Sequence, residues 1–235
     1  MHALQLTASY EDLLANRDID AVVLATPNSL YETQIREAAA AGKHVYVEKP
    51  FTLTLASARA AVDAVARAKV TLAVGLNRRF HPNMIELTRR VREVYCVAAN
   101  RGGPHGDDTT HLMLQFDSGV SGLIYCSVAA TRNHRIAVYG TQGFAEVLKP
   151  RMDTFRFIPT VAGHASHLAR IPEAEVIEAP GFNYVGKSLT EFASYINEGL
   201  AYPISTRDVL HGVAVLEAAI QSAATKTPKP VQVTD

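Results

Sequence analysis

The stretch Val45-Tyr46-Val47-Glu48-Lys49-Pro50 decides the fold of the first part of this chain. Its apolar residues predict a strand, which the acid, the amine and the proline then end abruptly. Pro50 disfavours the helical region for Lys49, so we expect that residue to remain extended. Ligands of open parallel sheets lie outside the carboxyl ends of the strands, which makes Glu48 and Lys49 candidates for chemistry. The alternative is that both are ordinary solvated side chains.

Two further strands flank this one. Residues 21–25 are apolar without alternation, as in a strand buried on both faces of a parallel sheet, and residues 70–76 form a third strand. A helix between the first two strands is predicted to begin with a capping box from Ser29 to Glu32, and another helix is predicted to begin at Thr54. Strands and helices that alternate at this spacing predict right-handed crossovers and a doubly wound parallel sheet.

The pattern changes in the second half of the chain. Pro82 is expected to open a helix that ends near Val94. Strands are then predicted at residues 95–100, 109–116, 120–129, 136–139 and 144–148, followed by helices at 187–199 and 207–224. This order predicts an α+β domain, an open and mostly antiparallel sheet with helices on one face.

The composition excludes several classes of partner. The chain has 23 basic and 23 acidic residues among 235, so nothing favours binding to nucleic acid or to an anionic membrane. The first residues do not resemble a secretory signal, and no apolar run is long enough to cross a membrane, so we expect a cytoplasmic protein. Cys96 and Cys126 lie in apolar, strand-like stretches and form no disulfide framework.

Several motifs together resemble the Gfo/Idh/MocA oxidoreductases. In the first part they are Ala25–Asn28, Ala41–Val45, Glu48–Pro50 and Asn77–Phe80, and in the second part Asp107–Thr110, Gly140–Gly143 and Leu216–Ala223. The resemblance implies that residues 1–80 are the C-terminal part of a Rossmann dinucleotide-binding domain. Residues 81–235 would form the α+β domain for substrate binding and oligomerisation. It also implies NAD or NADP as cofactor, and a hydroxyl group of a sugar, an inositol or a related polyol as the reacting group.

Two parts of the family pattern are absent. The glycine-rich turn that cradles the pyrophosphate is not found, since the first glycine of the chain is Gly42. A helix-like segment also runs into a strand-like one at Val94 and Tyr95 without turn residues, so we expect a discontinuity at 94/95. The Asp-x-x-x-His helix of the family would lie there. These segments are either deleted or not among the residues printed.

Lys49 is the predicted catalytic residue. By resemblance, it would hydrogen-bond the reacting hydroxyl, while a histidine usually serves as the base. The residues expected to bind the cofactor are Thr26, Pro27, Asn28, Glu48, Lys49, Pro50, Asn77 and Arg78, and those expected to bind the substrate are Lys49, Arg79 and His134. Three alternatives remain open: Asn28 as a turn residue, Arg79 in an ion pair, and His134 as a polar residue at a strand end.

Two other groups of residues are rejected as sites. Asp107 and His111 have the Asp-x-x-x-His spacing, but they open an alternating strand, where residues four apart lie roughly 13 Å from each other. His164 and His167 are not accompanied by carboxylates or cysteines, so no metal site is predicted.

The sequence therefore predicts an NAD(P)-dependent oxidoreductase. The alternative is a non-catalytic remnant of the family that acts as a binding or assembly module. The expected partners are a small polyol or sugar-like substrate and further copies of the chain, in a homodimer or homotetramer. Apolar positions of the second-domain sheet that would mediate this assembly are Leu112, Leu114, Leu123, Ile124 and Val128.

Overall fold

The structure, a computed structural model, describes residue 7 and residues 9–80, 91–100, 106–160, 172–199 and 202–232. The first part begins with helix α1 (Tyr10–Ala15) and strand β1 (Ala21–Leu24). A short 3₁₀ helix (Asn28–Leu30), α2 (Tyr31–Ala40), β2 (His44–Val47), α3 (Leu55–Ala68), β3 (Leu72–Val74) and a second 3₁₀ helix (Asn77–Phe80) follow.

Strands β1, β2 and β3 form a parallel sheet in that order, which confirms the predicted strand–helix alternation. Leu24 pairs with Val47, and Val47 pairs with Val74, so all three strands end at the same level. The central strand is the most deeply buried, since Val45, Tyr46 and Val47 are at most 1% exposed. The apolar run that suggested this sheet is therefore its core.

The two predicted helix starts had different outcomes. Thr54 caps α3 as expected, because its side chain accepts a hydrogen bond from the Ser57 amide at 3.2 Å. The capping box at Ser29 is wrong, since α2 begins at Tyr31 without a side-chain cap. The 3₁₀ turn before α2 places Ser29 outside the helix, and Glu32 instead accepts a hydrogen bond from the Ser57 hydroxyl at 2.7 Å.

The second part contains two antiparallel sheets and two long helices. Its strands are β4 (Val91–Ala99), β5 (Thr109–Phe116), β6 (Ser121–Ser127), β7 (Arg135–Gly140), β8 (Gly143–Leu148), β9 (Thr154–Pro159), β10 (Glu175–Glu178) and, after α4 (Tyr184–Glu198) and α5 (Thr206–Thr225), β11 (Lys229–Pro230). The strand orders are β11-β4-β5-β6 and β10-β9-β8-β7. The predicted fold class, a parallel α/β part followed by an α+β part, is confirmed.

Strand β4 corrects the prediction around Val94. Residues 81–90, where most of the expected helix falls, lie outside the described residues. Val91 to Val94, however, already belong to the strand. Val94 pairs with Leu114 and Tyr95 with Met113 without a register shift, so the chain passes from Val94 to Tyr95 inside one strand. Burial of Val91 and Val94 beneath α5 fixes the extended conformation in place of the helical one.

Helices α4 and α5 join the two parts of the molecule. Phe192 of α4 and Val209 and Val213 of α5 belong to the core of the parallel sheet, whereas Ala218 and Ala219 of α5 pack against β4. The prediction placed the helices on one face of the second sheet. Helix α5 does cover one face of the β4-β5-β6 sheet, and it also packs against the core of the parallel sheet, because its opposite faces are both apolar. The parallel sheet is thus backed by helices from the far end of the sequence.

The other face of the β4-β5-β6 sheet is open. Val97, Met113, Leu123 and Tyr125 are 44%, 49%, 80% and 64% exposed. Within the set predicted from the sequence, Leu123 lies on this open face. Ile124 and Val128 are exposed too, but Ile124 pairs with Leu112 and so lies on the α5 side of the sheet. Leu112 and Leu114 pack toward α5. These two lie on the covered face because side chains alternate along β5. No described helix is long and apolar enough to span a bilayer.

Candidate active site at the carboxyl ends of the parallel strands

Backbone pairing continues one residue beyond the strands and aligns their carboxyl ends. The Glu48 amide donates to the Leu24 carbonyl at 2.9 Å, and the Gly75 amide donates to the Val47 carbonyl at 2.8 Å. Lys49 follows directly, with an exposed side chain and a cis peptide bond to Pro50. The strand that the sequence singled out thus delivers its lysine to the edge where ligands of such sheets bind.

The Glu48 carboxylate lies between a backbone amide and a buried phenol. Its Oε2 accepts a hydrogen bond from the Lys49 amide at 3.2 Å. A Cβ atom added to Gly75 would lie 3.1 Å from both Glu48 Oε1 and the Tyr46 hydroxyl oxygen. Burial, and then the charge of Glu48, raise the pKa values of Tyr46 and Tyr31. Both phenols therefore stay protonated at neutral pH, and Gly75 leaves room for the carboxylate beside them.

Asn77 is held by a chain of buried hydroxyl groups. The Tyr46 hydroxyl donates to Asn77 Oδ1 at 2.5 Å and contacts the Ser188 hydroxyl at 2.8 Å. Ser188 Oγ in turn lies 3.2 Å from the Tyr202 hydroxyl. Sequence reasoning identified Asn77 but missed the other three. Tyr46 was a visible signal, since its hydroxyl lies between two valines of a strand predicted to be buried and must find a hydrogen-bond partner there.

Arg78 and His134 are brought together from distant parts of the sequence. Arg78 Nη1 lies 3.2 Å from His134 Nδ1, although the residues are 56 positions apart. Burial and the neighbouring Arg78 charge lower the pKa of His134 below its ordinary value. The imidazole is consequently neutral at pH 7. Because the Arg78 guanidinium can only donate, Nδ1 accepts its hydrogen bond and Nε2 carries the ring proton.

The remaining predicted residues are engaged in local contacts. Thr26 and Pro27 are exposed, and the Thr26 hydroxyl donates to Gln34 Oε1 at 2.5 Å. Asn28 is half-buried at the start of the first 3₁₀ helix, which agrees with the turn alternative. Arg79 forms an ion pair with Asp208 of α5 at 3.6 Å, the interdomain alternative.

One of the two rejected groups falls within the described residues. Thr109–Phe116 is a strand as predicted, so Asp107 and His111 are not neighbours on a helix. His164 and His167 lie outside the described residues. Across the described ranges, no three His, Cys, Asp or Glu side chains cluster as a metal site would require.

A surface groove among the described residues lies elsewhere. It has a volume of about 820 Å³ and is lined by residues near the C-terminal ends of α2 and α3, among them Arg36, Gly42 and Arg67. These helix ends adjoin the amino ends of the parallel strands, because each helix runs antiparallel to the strands it connects. The groove is therefore at the wrong end of the sheet for a nucleotide.

Two family models match this chain. Residues 2–76 match the model described as "Oxidoreductase family, NAD-binding Rossmann fold", and residues 84–233 match "Oxidoreductase family, C-terminal alpha/beta domain". The chain belongs to the Gfo/Idh/MocA oxidoreductase family. The resemblance given by the sequence motifs is confirmed. The boundary at residue 80 stays a prediction, although it falls between the two matched ranges.

Similar proteins include enzymes and structures with bound cofactor. An uncharacterized oxidoreductase, YrbE, of Bacillus subtilis is 26% identical over 294 residues, which cover 98% of this chain and 83% of that protein. The scyllo-inositol 2-dehydrogenase (NAD(+)) of the same organism is 40% identical over 80 residues, 34% of this chain and 23% of that protein. An oxidoreductase from Agrobacterium radiobacter in complex with NAD+, L-tartaric acid and magnesium has a TM-score of 0.76 at 17% identity, with 95% of this chain and 83% of that chain covered.

The alignment with YrbE also bears on the missing segments. It extends over 294 positions, whereas this chain has 235 residues, so at least 59 positions of the relative have no counterpart here. This agrees with the expectation that the chain lacks segments found in its relatives. Their location at 94/95 stays a prediction.

The strand ends fit one end of the family's cofactor. NAD or NADP is the cofactor predicted from the sequence, and the match to an NAD-binding Rossmann domain confirms it at the level of the family. The space beside Gly75 is filled by Glu48 and Tyr46, whereas Lys49 is exposed at the carboxyl edge of the sheet, where the nicotinamide end of the cofactor would lie. No glycine-rich turn is present among residues 1–41 to receive the pyrophosphate. The fit is thus to the nicotinamide end alone.

Proposed function

We propose that this protein transfers a hydride between a nicotinamide cofactor and a hydroxyl-bearing carbon of a sugar, an inositol or a related polyol. The observation that carries the proposal is the convergence of Glu48, Lys49, Asn77 and Arg78 at the carboxyl edge of one parallel sheet. The name of the scyllo-inositol 2-dehydrogenase supports the class of substrate, because the similarity to that enzyme spans about a third of this chain.

The chain's own residues would manage the hydroxyl group and its proton. NAD(P)+, when bound, accepts the hydride from the carbinol carbon. Lys49 is exposed at the strand end and carries three N–H donors, so it can hydrogen-bond the reacting oxygen and orient it. The hydroxyl proton must leave as the hydride departs, and a group in its neutral, proton-accepting form has to receive it.

His134 is the described residue best suited to contact the substrate from the second domain. It follows the β6–β7 connection and reaches Arg78 across the boundary between the two parts of the chain. Its lowered pKa keeps it neutral, and because Nδ1 accepts from the charged Arg78, its Nε2–H can donate a hydrogen bond to a substrate oxygen. We propose Lys49 and His134 as substrate contacts. Arg79 is not included, because it forms an ion pair with Asp208.

Turnover of a polyol panel tests the proposal. Inositols, aldoses and open-chain polyols are offered with NAD+ and separately with NADP+, and the formation of reduced nicotinamide is followed by absorbance. Saturable turnover of at least one cyclic polyol or aldose is expected. A folded protein that binds reduced nicotinamide but turns over none of these alcohols would contradict the substrate class, and one that binds no nicotinamide would contradict the enzyme itself.

We also propose self-association through the open sheet face. Val97, His111, Met113, Leu123 and Tyr125 are neighbours in the β4-β5-β6 register and include no Lys, Arg, Asp or Glu. A two-fold pair would place each patch against its copy without burying an unpaired charge. The cytoplasmic location stays a prediction.

The non-catalytic alternative is not favoured. A module retained only for assembly would need the open sheet but not the cofactor domain, whereas residues 2–76 match the NAD-binding model of the family. The polar strand ends also retain a specific hydrogen-bonded arrangement around Asn77.

A further inference from the structure

The hydroxyl chain behind Asn77 has a fixed direction. Tyr46 has one hydroxyl proton, which it donates to Asn77 Oδ1, an atom that can only accept. The Ser188 hydroxyl is then left to donate to the Tyr46 oxygen, and the Tyr202 hydroxyl to donate to Ser188. Each donor therefore has one acceptor, and the sequence of bonds ends on the amide oxygen at the edge of the sheet.

This relay, defined as Tyr202, Ser188, Tyr46 and Asn77, is buried and packed at every step behind Asn77. Ser188 is 0%, Tyr46 1% and Tyr202 9% exposed. The ring of Phe192 packs edge-on against Tyr46 at 5.6 Å between centroids. A buried hydroxyl that loses its partner pays a full desolvation penalty, so each member favours the one arrangement that satisfies all of them.

The relay connects distant parts of the sequence. Tyr46 comes from β2 of the cofactor domain, whereas Ser188 comes from α4, 142 positions later. An amide group carries its oxygen and its nitrogen on opposite branches, so the bond from Tyr46 directs the Asn77 nitrogen away from the core. The position of α4 thus sets the orientation of a donor at the edge where the cofactor would bind.

We propose that Ser188 and Tyr46 are positioning residues that hold the Asn77 amide in place to donate to the bound nicotinamide nucleotide. The proposal rests on the proposed function for its ligand, but the orientation of Asn77 can be measured without any ligand. A second-domain helix would in this way tune cofactor binding, although none of its relay atoms touches the cofactor.

The test compares two serines that are equally buried and equally hydrogen-bonded. Ser222 is also 0% exposed; its hydroxyl accepts from the Cys96 amide at 2.9 Å and donates to the Thr227 carbonyl at 2.7 Å, outside the relay. Ser188→Ala and Ser222→Ala should both lower the unfolding temperature. Only Ser188→Ala and Tyr46→Phe should shift the side-chain amide NMR signals of Asn77, which are assigned by their loss in Asn77→Asp.

Cofactor affinity provides the second measurement. Fluorescence titration should show that Ser188→Ala and Tyr46→Phe each weaken NADH binding by about 3- to 10-fold, the effect of one hydrogen bond, with no change for Ser222→Ala. The double variant should lose no more than the larger single loss, because the two hydroxyls act in series.

Three results would overturn the relay. They are Asn77 signals unchanged in Ser188→Ala, Asn77 signals that move equally in Ser222→Ala, and additive losses in the double variant. If the wild-type protein binds no NADH while the Asn77 signals still respond only to the relay variants, the proposed function fails and the coupling of α4 to Asn77 stands.

Discussion

Strands β2 and β6 show how differently the two halves of this molecule use a sheet. Val45, Tyr46 and Val47 of β2 are at most 1% exposed, whereas Leu123 and Tyr125 of β6 are 80% and 64% exposed. The crossover helices of the parallel sheet cover its strands and leave the carboxyl end as the accessible edge. In the β4-β5-β6 sheet, by contrast, α5 covers one face and the other face is exposed. We therefore propose chemistry at the carboxyl end of the parallel sheet and assembly on the open face of the β4-β5-β6 sheet.

The largest effect is expected at the end of β2. Lys49→Ala should lower kcat by about 10²- to 10⁴-fold, because the reacting hydroxyl loses the group that orients it and assists its proton transfer. The affinity for NADH should change by less than about twofold, since the loss concerns transition-state stabilisation. Steady-state kinetics and NADH titration measure the two quantities. Lys229→Ala, at the far edge of the antiparallel sheet, is the control, and turnover equal to the wild type in Lys49→Ala would remove Lys49 from the mechanism.

The second prediction compares how much a buried side chain of the parallel sheet and an exposed side chain of the open face contribute to the free energy of unfolding. Phe192→Ala removes a ring that packs on Tyr46 in the core of the parallel sheet, and should reduce the free energy of unfolding by about 3–5 kcal/mol. Leu123→Ala on the open face should change it by no more than about 0.5 kcal/mol under conditions where the protein is monomeric. Denaturant unfolding gives both values. Similar losses for the two variants would mean that the open face is packed within the monomer.

A third prediction concerns the open face as an interface. Leu123→Lys combined with Tyr125→Lys should shift the wild-type dimer or tetramer to monomer, because each substitution brings an unpaired charge into the contact. Sedimentation velocity measures the state, and Lys substitution at exposed Val23 of β1 serves as the control away from this face. A wild-type protein that is monomeric at micromolar concentration would refute the assembly proposal.

The smallest effect is the pH dependence at His134. Its pKa is lowered from 6.5, so the folded protein binds this proton less readily than the unfolded chain does. The contribution of His134 to the free energy of unfolding should therefore be complete above about pH 6.5. It should be lost as the pH falls through the lowered pKa. Denaturant unfolding from pH 5 to 7.5 should show a shallower slope for His134→Gln than for the wild type. Equal slopes would show that His134 does not contribute.

Much of the parallel sheet could be predicted, because its pattern is local. Short apolar runs bounded by turn residues predicted β1, β2 and β3, and Thr54 predicted the start of α3. The helical periodicity assigned to Val91–Val94 failed, since four residues suit either a helix turn or a strand until their packing partner is known. Strand pairing and the cover of α5 decided that segment, and neither is visible in a single sequence.

The candidate site was predictable only on its own strands. Lys49 and Asn77 were found because strand ends in such sheets are known positions for ligands. Their supports were not found, since Ser188 and Tyr202 approach from the last third of the chain and resemble ordinary helix and loop residues in the sequence. The pairing of Arg78 with His134 likewise depends on how the two parts of the chain pack.

Titration of the wild-type protein with NADH, followed by the fluorescence of the reduced nicotinamide, tests the central claim most directly. The claim is that the edge formed by Glu48, Lys49 and Asn77 receives a nicotinamide nucleotide. The predicted result is a saturable signal that non-fluorescent NAD+ or NADP+ reduces by competition. The Asn77→Ala substitution should weaken NADH binding. A well-folded protein whose signal rises only linearly with added NADH would contradict the claim.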